Sequence, residues 1–214
     1  MSTGSTLLNQ CRRPTGWLGR FLLWTMNVRH SKVADWGLKH VSIEKHDTIL
    51  DVGCGGGRTV RKLAALATAG KVYGIDHSEE SVAAARRTNE RWIEMGRVEI
   101  RQGSVSRLPF SDDMFDLATA VETHVFWPDL PADMREVLRV LKPGGTLIII
   151  AEVYKGGKHI RIQELAERFV ELTNMTLLSV HEHSELFSNA GYSDVRIIEE
   201  CAKGWICGIG RKPS

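Results

Sequence analysis

The densest chemical signal in the chain is a run of small residues behind a carboxylate, Ile49-Leu50-Asp51-Val52-Gly53-Cys54-Gly55-Gly56-Gly57-Arg58-Thr59. An apolar stretch enters a turn with so few Cβ atoms that a ligand can lie against the backbone, at the N-terminus of the helix that follows. Further on, Val72-Tyr73-Gly74-Ile75-Asp76-His77-Ser78 closes a second apolar stretch on Asp76. A carboxylate there can accept both hydroxyls of an adenosine ribose, although alone it also reads as a surface Asp ahead of a helix cap at Ser78. A dinucleotide turn requires Gly-x-Gly-x-x-Gly or Ala. Counted from Gly53 its last position is Arg58, so that fingerprint fails.

The elements that must hold these groups follow from periodicity. Thr48–Val52, Lys71–Asp76, Val98–Gln102, Phe115–Val121 and Thr146–Glu152 read as strands, and Arg58–Thr68, Ser78–Glu94 and Ala132–Leu141 as helices between them. Such alternation implies α/β architecture: a doubly wound, Rossmann-like parallel sheet with helices on both faces. Helices at about Ile160–Leu172 and His181–Ala190 follow. Then Val195–Glu200 and Gly204–Arg211 are joined by so short a link that only an antiparallel hairpin is possible. Ahead of the sheet, Trp17, Leu18, Phe21, Leu22 and Met26, then Val33, Trp36, Leu38 and Val41, recur at helical spacing. Residues 1–42 therefore read as a tail and helical lid, and residues 43–214 as the sheet domain.

The pattern Asp51-x-Gly53-x-Gly55-x-Gly57 resembles motif I of class I S-adenosyl-L-methionine-dependent methyltransferases. Further segments are similar to that family in order and spacing: Gln102-Gly103-Ser104-Val105, Leu108-Pro109-Phe110, Phe115-Asp116-Leu117, and Val137 through Lys142-Pro143-Gly144-Gly145. The resemblance covers about residues 47–152 and looks most like the small-molecule enzymes of ubiquinone and menaquinone pathways. It implies S-adenosyl-L-methionine as methyl donor and S-adenosyl-L-homocysteine as product. The donor-binding residues it implies are Asp51, Gly53, Cys54, Gly55, Gly57, Thr59, Asp76, His77, Gly103, Ser104, Val105 and Val121. Ser104 stands where the family commonly has Asp, which keeps a polar adenine contact without the carboxylate.

Methyl transfer from a sulfonium needs alignment, desolvation and, for a weak nucleophile, a base. Acceptor-side groups should leave the end of the fourth strand, in Val121-Glu122-Thr123-His124-Val125-Phe126-Trp127. Glu122 and His124 are the catalytic candidates, against a structural Glu and a loop His. Trp127 is a pocket wall or loop packing. Glu152 and Tyr154 read as rim residues, and Met26 and His30 as core and cap. His181 and His183, two apart on a helix, point to different faces and make a poor metal pair. No metal site is expected.

Lys+Arg 28 against Asp+Glu 26 gives a net charge of +2 without a basic stripe, which excludes a phosphate-backbone binder. The Asn/Asp/Ser-Pro-Pro-aromatic motif of nucleic-acid amino-methyltransferases is missing as well. With 43% hydrophobic content, no signal-peptide pattern and no apolar run long enough to span a bilayer, a cytoplasmic enzyme acting on a small molecule is expected. Cys11, Cys54, Cys201 and Cys207 read as reduced thiols, and Cys54, Cys201 and Cys207 as small buried hydrophobes rather than a thiophilic site. Two other functions remain open, a non-catalytic donor-binding module and an NAD-dependent oxidoreductase, and so does the oligomeric state.

Overall fold

The computed structural model describes residues 31–157 and 175–214. The expected helices through Trp17 and Met26 and at Ile160–Leu172 lie outside the described residues, as does the Met26/His30 face. The described chain runs α1 (Ser31–Gly37), a 3₁₀ turn (Leu38–His40), β1 (Thr48–Val52), α2 (Arg58–Leu66), β2 (Lys71–Asp76), α3 (Glu79–Thr88), α4 (Glu90–Glu94) and β3 (Val98–Gln102). It continues through β4 (Phe115–Val121), a 3₁₀ turn (His124–Phe126), α5 (Leu130–Val140), β5 (Leu141–Ala151), α6 (Val180–Asn189), β6 (Ser193–Glu200) and β7 (Trp205–Arg211).

One sheet holds all seven strands of the described residues, in the order β3-β2-β1-β4-β5-β7-β6. β1, β2, β3, β4 and β5 pair in parallel, and β7 pairs antiparallel with both β5 and β6. The order reverses beside β1, whose neighbours are β2 and β4, so a crevice opens at the C-terminal ends of those strands.

Strand alternation sorts the core into two layers. Leu50, Val52, Tyr73, Leu147 and Ile149 face α5 and α6 residues such as Met134 and Phe187. Ile49, Val72, Ile148 and Ile150 face the other way, with Val60 and Leu63 of α2 and with Val33 and Leu38. Part of the expected lid thus belongs to this second layer: a Cβ at Gly37 would stand 2.4 Å from Ile150 Cδ1, and Trp36 lies 5.9 Å from Trp205.

Among the described helices, α3 starts on a side-chain cap from Ser78, α5 on one from Asp129, and α6 on a Ser179/Glu182 capping box. α2 starts on Gly57 with no side-chain cap, leaving its first-turn N–H groups to other partners. Two elements differ from expectation by more than a residue or two at an end. The helix expected over Ser78–Glu94 breaks at Asn89, whose Nδ2 donates to the Gly57 carbonyl at 2.9 Å and to Ala85 O at 2.9 Å. β5 begins at Leu141 rather than Thr146, because Gly145 lets the Lys142-Pro143-Gly144 bulge lie on the Phe115 carbonyl, where an added Cβ would come within 2.9 Å.

Phe187 of α6 fits against β7 where side chains are missing: a Cβ on Gly208 would meet its Cε2 at 2.8 Å. Phe187→Ala should cost about 3–5 kcal/mol and Gly208→Ala about 1–3 kcal/mol. In urea titrations the double variant should fall well short of the sum, since removing the ring removes the clash. Strict additivity would show that the two do not share this contact.

Candidate functional site

The turn after β1 is tied to the end of β2. Gly53 and Cys54 N–H both donate to the Ile75 carbonyl, at 2.8 and 2.9 Å. Gly55 N–H donates to Asp76 Oδ2 at 2.9 Å, and Ser78 N–H to Asp76 Oδ1 at 2.9 Å. Each oxygen keeps lone-pair capacity for a further donor. Gly57, at φ 80, packs where a Cβ would run into Asn89 and Ala85. Gly55, at φ 51, is different: a Cβ there would meet nothing within 4 Å, so the turn faces open space at that residue.

Asp51 is 1% exposed. Its register partner on β4 is Thr119, whose hydroxyl donates to Asp51 Oδ1 at 2.6 Å, while Oδ2 is buried without a hydrogen-bond partner. Burial pushes this carboxyl from 3.8 up to about 7, opposed by the Thr119 bond and reinforced by the nearby Asp76 charge.

The remaining donor-side candidates collect at the same strand ends. Gly103 N–H donates to Asp76 O at 3.0 Å. Gln102 Nε2 donates to His77 O at 3.2 Å, and the His77 ring lies 3.7 Å from the Asp76 carboxylate. Ser104 is exposed, its hydroxyl oxygen accepting from Ser106 N–H, while Val105 is buried in the first core layer. Thr59 sits in the uncapped first turn of α2, and Val121 ends β4. Cys54 is buried and its thiol is pushed well above its ordinary value by burial. Cys207 is likewise pushed up to about 12, so both remain neutral thiols. Cys201, expected among the buried thiols, instead lies exposed, because it falls in the turn between β6 and β7.

Residues 50–149 match the methyltransferase domain family. The chain is 32% identical over 151 residues to an O-methyltransferase of Penicillium expansum, covering 71% of this chain and 54% of the relative. It is 28% identical over 188 residues to the chloroplastic 2-methyl-6-phytyl-1,4-hydroquinone methyltransferase of Arabidopsis thaliana, covering 88% and 51%. The chain therefore spans about half the length of these curated relatives. The crystal structure of a SAM-dependent methyltransferase from Aquifex aeolicus shares the fold with a TM-score of 0.69 at 23% identity, over 84% of this chain and 89% of that one. Over residues 50–149 the chain is similar to methyltransferase domains, and it shares the fold of S-adenosyl-L-methionine-dependent methyltransferases.

The candidates that follow β4 divide. Glu122 takes the left-handed conformation, φ 60, donates its N–H to Ile150 O at 2.9 Å and accepts Glu152 N–H on its carboxylate. A non-glycine residue held there is strained, as functional positions often are. Thr123 anchors the same loop to the donor turn: its hydroxyl donates to Val52 O at 3.0 Å, and a Cβ on Gly53 would meet its Cγ2 at 2.6 Å. His124 is 1% exposed and reaches α6, with Nε2 3.2 Å from His183 Nε2. Burial, with His183 second, pushes His124 down to about 3, so the ring is neutral at physiological pH. Trp127 is buried in the first core layer, and the Tyr154 hydroxyl is taken by Glu199. His181 is exposed while His183 is buried, on different faces as expected, and no metal-binding cluster occurs among the described residues. Sequence reading missed Thr119, Thr123, Asn89 and the pairing of His183; each gains its role from a partner distant in sequence.

In the folded protein Asp51 keeps its proton up to about pH 7, whereas the ordinary carboxyl loses it near 3.8. This stabilising contribution is full at acid pH and is lost as pH rises through about 7. Between pH 5 and pH 8 the wild type should thus lose stability relative to Asp51→Asn in denaturant titrations. Parallel pH profiles would mean that Asp51 titrates as an exposed carboxyl.

Proposed function

We propose that this chain transfers a methyl group from S-adenosyl-L-methionine to a small-molecule acceptor, in the crevice at the C-terminal ends of β1, β2 and β4. The reading rests above all on the open space at Gly55, flanked by an orphaned buried carboxylate oxygen on Asp51 and by the Asp76 carboxylate. These groups suit an adenosyl amino-acid donor. Asp76 has lone pairs for ribose hydroxyls, Asp51 Oδ2 lacks a cationic or N–H partner, and the uncapped α2 terminus favours a carboxylate. Gly103, Ser104 and Val105 line the adenine end. When bound, the donor supplies an electrophilic methyl on a sulfonium. The chain's task is to orient the acceptor in line and exclude water, with Glu122 as the carboxylate able to receive the acceptor's proton.

The absence of a nucleic-acid amino-methyltransferase motif and of a basic stripe supports a small-molecule acceptor. As part of this proposal, residues 1–42 serve the 43–214 domain as a lid, supported by the anchoring of α1 on β5 and β7. No described helix is long and apolar enough to cross a membrane.

Calorimetry with S-adenosyl-L-homocysteine should show saturable binding, and NADH none. Asp76→Ala should weaken it at least about tenfold, as expected for losing charge-assisted hydrogen bonds, and removal of residues 1–30 should weaken it as well. Near pH 6.5 binding should release a proton in the wild type but not in Asp51→Asn, because an ammonium beside Asp51 favours its ionised form. Undiminished affinity in Asp76→Ala would refute the donor assignment.

Incubation with S-adenosyl-L-methionine and a panel of metabolites, read as S-adenosyl-L-homocysteine formed, tests the transfer itself. Glu122→Gln should lower turnover on an active acceptor roughly a hundredfold with donor affinity kept. Donor binding without turnover on any acceptor class would instead mark a donor-binding module.

A further inference from the structure

A chain of hydrogen bonds fixes the protons on two buried imidazoles. His183 Nδ1 lies 2.8 Å from Ser179 O, a carbonyl that can only accept, so His183 carries its proton on Nδ1 and leaves Nε2 bare. That bare Nε2 is 3.2 Å from His124 Nε2, which must therefore be the protonated nitrogen of His124. His124 Nδ1 then carries only a lone pair. It is buried without a hydrogen-bond partner.

The surroundings hold this arrangement in place. Ser179 is the N-cap of α6 and takes both arms of its capping box with Glu182, which fixes the carbonyl that orients His183. The stretch before α6 is tied to the crevice from both sides: Thr176 N–H donates to Val125 O, and Lys155 N–H to Leu178 O, each at 2.9 Å. His124 itself follows directly on Thr123, the residue that packs on Gly53 of the donor turn. An unpaired buried acceptor is costly and usually has a function or an occupant.

We infer that His183 is a positioning residue that fixes His124 with a bare Nδ1, and that this nitrogen accepts a hydrogen bond from an uncharged hydroxyl group on the methyl acceptor, distinct from the group whose proton Glu122 receives. The inference rests on the methyl-transfer reading of the site. The chemistry selects among acceptors at this atom. A carboxylate would set lone pair against lone pair, and an ammonium would have to shed its water against a neutral ring. A neutral O–H satisfies the orphaned nitrogen at little desolvation cost. Both imidazoles are pushed below their ordinary value by burial, so the pair stays uncharged and the tautomers persist through neutral pH.

The test uses the full chain, ¹⁵N-labelled at histidine and saturated with S-adenosyl-L-homocysteine, with phenol as hydroxyl probe and anisole as the matched ether. Long-range ¹H–¹⁵N spectra should show His183 protonated at Nδ1 and His124 at Nε2. Phenol should shift the His124 Nδ1 resonance, and anisole should not. His183→Phe should release the His124 tautomer and weaken phenol binding about tenfold, the worth of one hydrogen bond. His183→Gln, whose side-chain carbonyl can still receive the His124 Nε2–H, should keep both. The opposite His124 tautomer, equal shifts with phenol and anisole, or a stoichiometric metal ion lost on His183→Phe would overturn the inference. Failure of S-adenosyl-L-homocysteine to bind the wild type would instead overturn the methyl-transfer reading, and the tautomer spectra would still report on the pair.

Discussion

Asp76 accepts Gly55 N–H on one carboxylate oxygen and Ser78 N–H on the other, and the donor turn depends on that bridge. Glycines lose more conformational freedom on ordering than other residues, so a turn built on Gly53, Gly55, Gly56 and Gly57 needs an external template. Parallel pairing supplies it. The register Asp51↔Gly74 and Val52↔Ile75 brings the end of β2 level with the turn, where Ile75 O takes two N–H groups and Asp76 a third. The turn is thus held from the β2 side and left open at Gly55.

The two carboxylates of the site sit in opposed environments. Asp76 receives two backbone N–H groups, whereas Asp51 receives a single hydroxyl, from Thr119, and is otherwise enclosed. An enclosed carboxyl with one orphaned oxygen resists ionising until a cation arrives. The orphaned oxygen leaves the protonation of Asp51 responsive to any charge placed beside it, while Asp76 holds the backbone in shape. A single carboxylate could not do both, because the hydrogen bonds that fix the turn also satisfy the charge.

The bounds of β1, β2, β3 and β4 were legible in the sequence because each apolar run ends at a glycine, a charge or a polar pair. The break at Asn89 was not, since it depends on the Gly57 carbonyl reached across the fold. Lys142-Pro143-Gly144-Gly145 reads locally as a turn, and only contact with Phe115 draws it into β5. The same divide runs through the site. The glycine turn and Asp76 announce themselves within a short window, whereas the Thr119 partner of Asp51 requires knowing that β4 lies beside β1. His124 could be named as a candidate from its place after β4, but not its burial, its neutrality or its partner.

That divide has a physical origin in how the two halves of the crevice are assembled. The donor half is built from strand ends and turns that succeed one another along β1, β2 and β3, so its geometry is set by local backbone and parallel register. The half proposed for the acceptor joins the segments after β4 and β5 to α6 and the stretch before it, through Thr176 on Val125, Leu178 on Lys155 and His183 on His124. These contacts run through α6 and the stretch before it, so substitutions in α6 can reshape this half without touching the Asp76 bridge. A fold arranged in this way can keep one methyl donor while its acceptor changes. In this chain the feature that most distinguishes the acceptor half is a neutral imidazole, oriented by a second imidazole that is itself oriented by the cap of α6.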